Sequence, residues 1–331
     1  MKLGSLNLKN NLLLAPLQEV TTAPYRRFCR NFCNIGLVCV PMIYTKRIQT
    51  NPESILFDLH KIEKERPISV QLIGADPNAL KNSIDFLESY KFDVLDINAG
   101  CPSKRAIKAK EGGYLLNDLI KLNQLIKVAT KYSSRPVSLK IRIGVEKPNN
   151  IKDMANLINK SGLEFLIVHG RTVKDRFNNS QLHLKYIKQL KERVSIPIIG
   201  NGDIYDQDSA KEFLDNTNVD ALMIGRGSMG NPEIFNQIDV YLNKGVKTKN
   251  KNNVRNLKKY IELYEKIFDE FIEGNRFLRL SSVEYKFIEL KRNSIWLTKD
   301  IRDSSIIRTR ISKTKTLNEL KKELQNIYSN F

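Results

Sequence analysis

Eight short apolar runs divide the chain between Leu12 and about Tyr241, and longer amphipathic stretches separate them. The runs are rich in Val, Ile and Leu without strict polar alternation, which is typical of parallel strands covered on both faces. Nearly every run ends in Gly, Pro, Asn or another polar residue. Their bounds are Leu12–Pro16, Leu37–Pro41, Ile68–Gly74, Val94–Asn98, Pro136–Ile143, Phe165–His169, Pro197–Asn201 and Ala221–Gly225.

This rhythm predicts an α/β fold of the (β/α)8 TIM-barrel type. A doubly wound sheet is the alternative, but it normally has fewer strands and leaves the polar strand ends unexplained. In a TIM barrel, these ends meet at one face, where the active site lies. Helices are predicted between the runs at Pro77–Tyr90, Leu115–Tyr132, Ile151–Ser161 and Asp206–Asn216.

The sequence changes character after Tyr241. A polar, basic stretch, Asn243–Asn253, precedes helix-like segments at Val254–Glu273, Arg276–Asn293 and Leu317–Tyr328. We therefore predict a barrel domain over residues 1–243 and a small C-terminal helical domain over residues 244–331.

Positive charge is concentrated in that C-terminal part. The chain has 55 Lys+Arg against 36 Asp+Glu, a net charge of +19, and residues 244–331 contribute 21 and 11 of these, or +10. Such a balance predicts a polyanionic partner, either nucleic acid or an anionic membrane surface. The alternative is a merely solvated surface, accentuated by a chain-wide bias toward Lys, Asn and Ile.

The expected cellular location depends on whether the sequence has a membrane-spanning run or a secretion signal. No apolar run approaches the roughly 18 residues that span a bilayer, and the N-terminus does not resemble a secretion signal. We therefore expect a cytoplasmic protein with reduced cysteines and no membrane-spanning segment. Cys29 and Cys33, one helical turn apart, are expected to pack as small hydrophobic residues, because the cysteine spacing matches no paired zinc motif.

Glycine turns follow the last two runs, at residues 200–203 (Gly-Asn-Gly-Asp) and 225–227 (Gly-Arg-Gly). Glycine lets backbone N–H groups approach phosphate oxygens, and Arg226 adds a charge-assisted donor. Because TIM barrels commonly bind phosphate after strands seven and eight, these turns predict a phosphate site. Plain turns are the alternative interpretation.

Polar side chains inside or at the end of other runs extend this predicted site. Lys140 within an apolar strand requires an anionic partner, which is either the reduced ring of a flavin or a core carboxylate such as Asp96. Gln71 could pair with a planar heterocycle, or it could be an ordinary glutamine at a strand edge. His169, at the end of its run, is placed to touch a phosphate or a polar substrate, although a structural role is equally compatible.

Cys101 follows the fourth run, within Asn98-Ala-Gly-Cys-Pro. An unactivated thiol is mostly protonated at pH 7 and so can serve as a general acid. A nucleophilic role would need a histidine partner that the sequence does not specify. Basic residues, among them Lys108, follow Cys101 and would bring positive charge to the rim of the site.

Together these motifs resemble the tRNA-dihydrouridine synthase family, flavoenzymes that reduce the C5–C6 bond of specific uridines in tRNA. The resemblance covers about Leu12 to Phe235, and the family's helical domain would account for the rest. The motifs occur in the family's order at residues 14–16, 20–21, 24–26, 70–72, 96–98, 100–102, 140–142, 169–172, 200–203 and 223–227.

The resemblance implies the role of each site residue. Cys101 would be the general acid that protonates uracil C5, while NADPH (or NADH) reduces FMN and the flavin passes a hydride to C6. Asn98, Lys108 and Arg171 would contact the flipped uridine or its tRNA. The resemblance implies no metal, no membrane partner and no obligate protein partner. FMN would be held by Ala15, Pro16, Gln71, Lys140, His169, Asn201, Gly202, Asp203, Gly225 and Arg226.

The chain also departs from the family pattern, mostly at the flavin edge and the substrate entrance. Glu19 and Lys110 stand where the family has glycine, and Thr22 stands where it has aspartate. Pro41 replaces a usual glutamate, and Asn179 replaces a usual glycine. Two other functions therefore stay open: a small-molecule FMN oxidoreductase of the dihydroorotate dehydrogenase type, and a tRNA-binding protein with weak or no catalysis.

Overall fold

A computed structural model describes residues 2–176, 182–248, 254–278, 280–299 and 301–330. Two short antiparallel strands come first, followed by eight parallel strands. The strands are β1 (Lys2–Leu3), β2 (Leu6–Asn7), β3 (Leu12–Leu14), β4 (Val38–Tyr44), β5 (Ile68–Ile73), β6 (Val94–Ala99), β7 (Val137–Arg142), β8 (Phe165–His169), β9 (Ile198–Asn201) and β10 (Ala221–Ile224).

The eight parallel strands form a TIM barrel, as predicted. Their order is β3-β10-β9-β8-β7-β6-β5-β4, and a parallel bridge between Leu13 and Leu37 joins the two ends. The Leu14 N–H donates to the Leu37 carbonyl over 2.9 Å at this seam. Each strand lies within or overlaps one of the eight apolar runs, so the periodicity identified the whole sheet.

Helices cover the outside of the barrel and continue beyond it. In the described residues they are α1 (Ala23–Arg30), α2 (Thr45–Thr50), α3 (Leu56–Leu59), α4 (Pro77–Leu87), α5 (Lys104–Lys108), α6 (Leu119–Tyr132), α7 (Ile151–Asn159), α8 (Leu184–Lys191), α9 (Gln207–Thr217), α10 (Ile234–Lys244), α11 (Val254–Ile272), α12 (Ser282–Leu297), α13 (Ser304–Lys313) and α14 (Leu317–Asn330).

Helix boundaries differ from the predictions where a cap decides them. Helix α12 begins after Ser281 rather than at Arg276, because the Ser281 and Glu284 side chains form a capping box. Helix α6 begins after Asp118, whose carboxylate accepts from the Lys121 N–H, and 3-10 turns occupy the preceding residues 112–117. Cys33 lies beyond the end of α1 and is not on the same helix as Cys29.

The two faces of the strands build two hydrophobic cores. Leu13, Cys39, Phe165 and Met223 pack inside the barrel, together with Leu3 of the β1–β2 hairpin. Alternate strand residues pack outward against the helices. Because both faces are buried, the strands show continuous apolar runs.

The C-terminal helices pack directly against the barrel. Aromatic side chains of α1 meet those of α11 and α12 edge to face: Phe28 lies 5.2 Å from Tyr264 and Tyr25 lies 6.0 Å from Trp296, measured between ring centroids. Such pairs add to the stabilisation from apolar burial. No helix in the described ranges is long and apolar enough to cross a membrane.

Candidate functional site

A cleft opens at the carboxyl ends of the barrel strands. The ten residues that the resemblance assigns to the cofactor all line it, together with Asn98 and Cys101. Gly227 of the predicted phosphate turn also lines the cleft. The sequence analysis assigned no role to the other lining residues, which are Leu17, Gln18, Met42, Gly100, Pro102, Arg142, Ile204, Tyr205 and Met223.

A chain of hydrogen bonds connects the barrel interior to the Cys101 loop. The Gln71 amide donates to Asp96 Oδ2 over 2.6 Å and accepts from Asn98 Nδ2 over 2.8 Å. Asn98 Oδ1 in turn accepts from the Cys101 N–H over 2.9 Å. Burial raises the pKa of Asp96 to about 6, although the hydrogen bond from Ser138 opposes this shift. The network fixes the orientation of the amides that face the cleft.

Lys140 is held by an amide rather than by a direct carboxylate contact. Its Nζ donates to Asn201 Oδ1 over 2.9 Å, and Asn201 Nδ2 donates to the Met223 carbonyl over 2.7 Å. Desolvation lowers the pKa of Lys140 to about 8, and the charge of Arg142 adds to the effect. Asp96, the alternative partner, is engaged by Gln71 and Ser138, so the lysine is directed toward the cleft.

His169 lies in the same cationic surroundings. Burial, followed by the positive charges of Arg142 and Lys140, lowers the pKa of its imidazole well below the usual value. Its Nδ1 accepts from the Arg171 N–H over 3.2 Å, so the neutral ring carries its proton on Nε2. The histidine therefore offers a hydrogen-bond donor at Nε2.

Asp203 organises the cationic end of the cleft. Its carboxylate accepts from Arg171 Nη1 over 2.9 Å, from Arg226 Nη2 over 3.0 Å and from the Tyr205 hydroxyl over 3.3 Å. Burial alone would raise the pKa of Asp203, but the hydrogen bonds and charges of the two arginines outweigh it and lower that pKa. One carboxylate for two guanidinium groups leaves net positive charge here, as an anion site requires.

Close packing requires glycine at two positions of this region, Gly202 and Gly227. A Cβ atom at Gly227 would lie 2.1 Å from the carbonyl oxygen of Ile204. Gly202 has a φ of 131°, which residues with a side chain rarely adopt. A Cβ atom added there would lie 2.8 Å from the Leu182 side chain. The two glycine turns thus bring the backbone to the cleft wall.

Arg142 is the most informative residue that sequence reasoning missed. Its Nε donates to the Gly100 carbonyl over 3.1 Å and its Nη1 donates to the Thr172 carbonyl over 2.7 Å. It thereby joins the Cys101 loop to the loop after β8. Its spacing from Lys140 was a usable signal, because residues two apart on a strand share one face.

Two predicted substrate residues lie apart from the cleft lining. Lys108 is exposed at the end of α5. The Arg171 side chain is only 2% exposed and is paired with Asp203, so its immediate contact is internal. His60 and His183, to which we assigned no role, also lie outside the lining.

Two of the departures from the family pattern share a backbone feature. Glu19 and Lys110, which stand where the family has glycine, have φ angles of 60° and 57°. The backbone at both residues therefore has the left-handed conformation that glycine adopts freely. Thr22 donates from Oγ1 to Glu289 of α12 over 3.1 Å. Pro41 lies within β4, and Asn179 lies outside the described residues.

The other cysteines are structural. Burial raises the pKa values of Cys29 and Cys39 to about 12 and that of Cys33 to about 11. Among the described residues, no group of three or more His, Cys, Asp or Glu side chains is placed to bind a metal ion. Cys101 is the cysteine that lines the cleft.

Comparisons with known proteins identify the family of this chain. The sequence profile of the dihydrouridine synthase family matches residues 13–331. The tRNA-dihydrouridine synthase B of Pasteurella multocida is 37% identical over 249 residues, covering 74% of this chain and 73% of that protein. A probable tRNA-dihydrouridine synthase of Rickettsia bellii is 31% identical over 276 residues, covering 83% and 84%.

Solved structures show the barrel fold at lower identity. Morphinone reductase superposes with a TM-score of 0.53 at 14% identity, over 76% of this chain and 90% of that one. Histamine dehydrogenase from Rhizobium sp. 4-9 gives 0.56 at 11% identity, over 72% and 47%. The profile match and the curated relatives, added to the motifs assembled in one cleft, show that this chain belongs to the dihydrouridine synthase family of enzymes.

Proposed function

We propose that this enzyme reduces the C5–C6 bond of specific uridines in tRNA, with FMN in the barrel cleft and NADPH or NADH as the reductant. The observation that carries the proposal is that Cys101 lines the same cleft as all ten residues assigned to FMN. A proton donor and a cofactor site are thereby close enough to act on one base. The curated relatives, which are named for this activity on tRNA, support the same substrate.

The residues of the cleft fit a flavin mononucleotide. Gly202, Gly227 and the cationic Arg226 line the cleft and suit a phosphate group, because glycine lets the backbone approach phosphate oxygens and a guanidinium is a charge-assisted donor. Lys140 and Gln71 suit the polar edge of a planar ring, and Lys140 would neutralise negative charge on it. When bound, the flavin would supply the hydride.

Cys101 would supply the proton. Its backbone N–H is fixed by Asn98, and the Gly100 carbonyl beside it is fixed by Arg142. The loop that carries the thiol is therefore pre-organised, which a general acid requires because proton transfer depends on geometry. Arg171 would act through Asp203 by holding Arg226 in place, while Lys108 would contact the tRNA backbone at the rim.

The C-terminal part would hold the tRNA. Residues 244–331, which we propose as the tRNA-binding domain beside a catalytic domain of residues 1–243, carry +10 of the charge. Extruding a base from folded RNA costs a few kcal/mol, and phosphate contacts of these helices would offset that cost. A cytoplasmic location follows from this substrate.

The decisive experiment maps dihydrouridine in tRNA by mass spectrometry in strains with and without the gene. We expect dihydrouridine to disappear at one or more positions, to return with the wild-type gene, and to stay absent with Cys101→Ala. The purified protein should be yellow in both forms. Unchanged dihydrouridine in the deletion strain would refute the proposal and would favour either a small-molecule reductase or a non-catalytic tRNA-binding protein.

A further inference from the structure

A serine hydroxyl contacts the thiol of the proposed acid. Cys101 Sγ donates to Ser103 Oγ over 3.4 Å, within the same loop at the mouth of the cleft. Ser103 Oγ also accepts from the Ala106 N–H over 3.2 Å, which caps the first turn of α5. The two lone pairs of the hydroxyl oxygen are then both occupied, so its own proton is available for donation.

Tyr44, the last residue of β4, lies close to Ser103 and carries a second hydroxyl. Burial raises the pKa of Tyr44, and the nearby Ser103 side chain partly offsets that rise. The Arg105 guanidinium lies 4.2 Å above the Tyr44 ring and fixes its position. Tyr44 remains partly exposed, so its hydroxyl can exchange protons with water.

We propose that Ser103 and Tyr44 form a hydroxyl relay that orients the Cys101 thiol and returns a proton to it after each turnover. This inference rests on the proposed function, in which the S–H bond breaks as the proton passes to the substrate. The thiolate then takes the Ser103 proton, Ser103 takes the Tyr44 proton, and Tyr44 takes one from water. One proton enters from solvent for each proton delivered, and no electrons move along the relay.

Charged groups surround both ends of the relay. Arg142 and Lys140 act on the Cys101 end, whereas Arg105 and Glu111 act on the Tyr44 end, with Lys46 near Glu111. The nearby cations would stabilise the thiolate until it is protonated again. Ser103 and Tyr44 are thus positioning residues, because they act through Cys101.

The relay is distinguishable from a purely structural cap. Ser103→Ala removes both the relay and the cap of α5, Ser103→Thr retains both, and Tyr44→Phe removes one hydroxyl while keeping the ring under Arg105. Reduction of the enzyme by NADPH and its reoxidation by unmodified tRNA transcript are timed separately. We expect Ser103→Ala to slow reoxidation roughly tenfold or more, Tyr44→Phe to slow it less, and Ser103→Thr to restore it. Reduction by NADPH should not change.

A second readout does not require turnover. The rate of Cys101 alkylation by iodoacetamide, followed by peptide mass spectrometry across pH, reports the thiol directly. Ser103→Ala should shift this profile to higher pH, because the thiolate loses a hydrogen-bond donor. An unchanged alkylation profile, or reoxidation within twofold of wild type, would overturn the relay. If the wild type fails to reduce tRNA while the alkylation shift occurs, the proposed function is wrong and the hydroxyl contact stands.

Discussion

At the scale of single residues, two positions have a backbone conformation that is unfavourable for a residue with a side chain. Glu19 and Lys110 have positive φ angles at the edge of the cleft, and both side chains are exposed. A left-handed conformation costs a residue with a side chain roughly 1–2 kcal/mol. Glycine would adopt this backbone conformation at either position without that cost.

This strain predicts that glycine is better at both positions. Glu19→Gly and Lys110→Gly should each raise the free energy of unfolding by up to about 1 kcal/mol, after allowing for the greater entropy of glycine in the unfolded chain. Urea denaturation measures the effect. The matched control is Lys127→Gly, at an exposed position of helix α6, which should lower the free energy of unfolding by about 1 kcal/mol. A loss of stability at residues 19 and 110 would contradict the argument.

Lys140 should lower the stability of the cofactor-free fold but strengthen the binding of FMN. Its pKa in the folded protein, about 8, lies below its ordinary 10.5. The fold therefore bears the cost of a desolvated ammonium at all pH values below about 8, and this cost fades as the pH rises toward 10.5. Lys140→Met should stabilise the cofactor-free protein at pH 7, less so at pH 9.5, and should weaken FMN binding.

Urea denaturation at both pH values and fluorescence titration with FMN check this prediction. Lys127→Met, which changes an exposed lysine, should alter neither property. An equal stability change at pH 7 and pH 9.5 would show that desolvation of Lys140 is not the cause.

At the scale of elements, buried polar contacts connect α12 to the barrel. Glu289 is 1% exposed and accepts hydrogen bonds from the Thr22 hydroxyl, which precedes α1, and from the Tyr264 hydroxyl of α11. It also pairs with Arg292. In addition, Tyr25 of α1 donates to Ser228 over 3.1 Å in the loop after β10. Helix α1 thus joins the C-terminal helices to the cleft.

Removing the Glu289 carboxylate should loosen this junction. Glu289→Ala leaves the partly buried Arg292 and two hydroxyls without their acceptor, so we expect a loss of about 3 kcal/mol or more in the free energy of unfolding. Glu262→Ala, which breaks an exposed pair with Lys258 on α11, should cost under about 0.5 kcal/mol. Urea denaturation compares them, and similar small losses would show that Glu289 is not a structural link.

Element prediction succeeded where hydrophobic burial alone determines the structure. The strands are covered on both faces, so each has a continuous apolar run that the sequence displays. Helix α13 went unpredicted because it has few buried residues, Ile307 and Ile311 among them, and a weak apolar stripe. The start of α12 depends on a capping box rather than on periodicity.

At the scale of the whole molecule, the charge of the C-terminal helices should govern tRNA affinity. Lys313, Lys315 and Lys322 are exposed there. Each phosphate contact that is lost should lower the slope of log K against log salt by about 0.7 to 0.9. Changing these three lysines to Gln should weaken tRNA binding and flatten its salt dependence.

The matched control changes three exposed lysines on the outer helices of the barrel. Lys127, Lys152 and Lys160 lie on or beside α6 and α7. Their replacement by Gln alters net charge equally but should leave tRNA affinity nearly unchanged. Equal weakening in both variants would mean that only the overall charge matters and that the helical part has no specific role.

The sequence by itself determined the barrel, the cleft residues and the family. These depend on local patterns: apolar runs set strands, and polar residues at their ends must converge because parallel strands point the same way. Residues 98–101 and 200–203 are similar enough to the motifs of the family to be identified from the sequence. The ten residues that the resemblance assigns to the cofactor therefore line one cleft together with Cys101.

Only the tertiary structure decided how those residues are paired. Arg171 contacts Asp203, Lys140 contacts Asn201, and Ser103 contacts Cys101. Each pairing, except that of Cys101 with its neighbour Ser103, joins side chains from different strands or loops. Their separation in space depends on register and packing rather than on local sequence. The same reason applies to the C-terminal helices, whose charge was visible in the composition but whose contact with α1 required the fold.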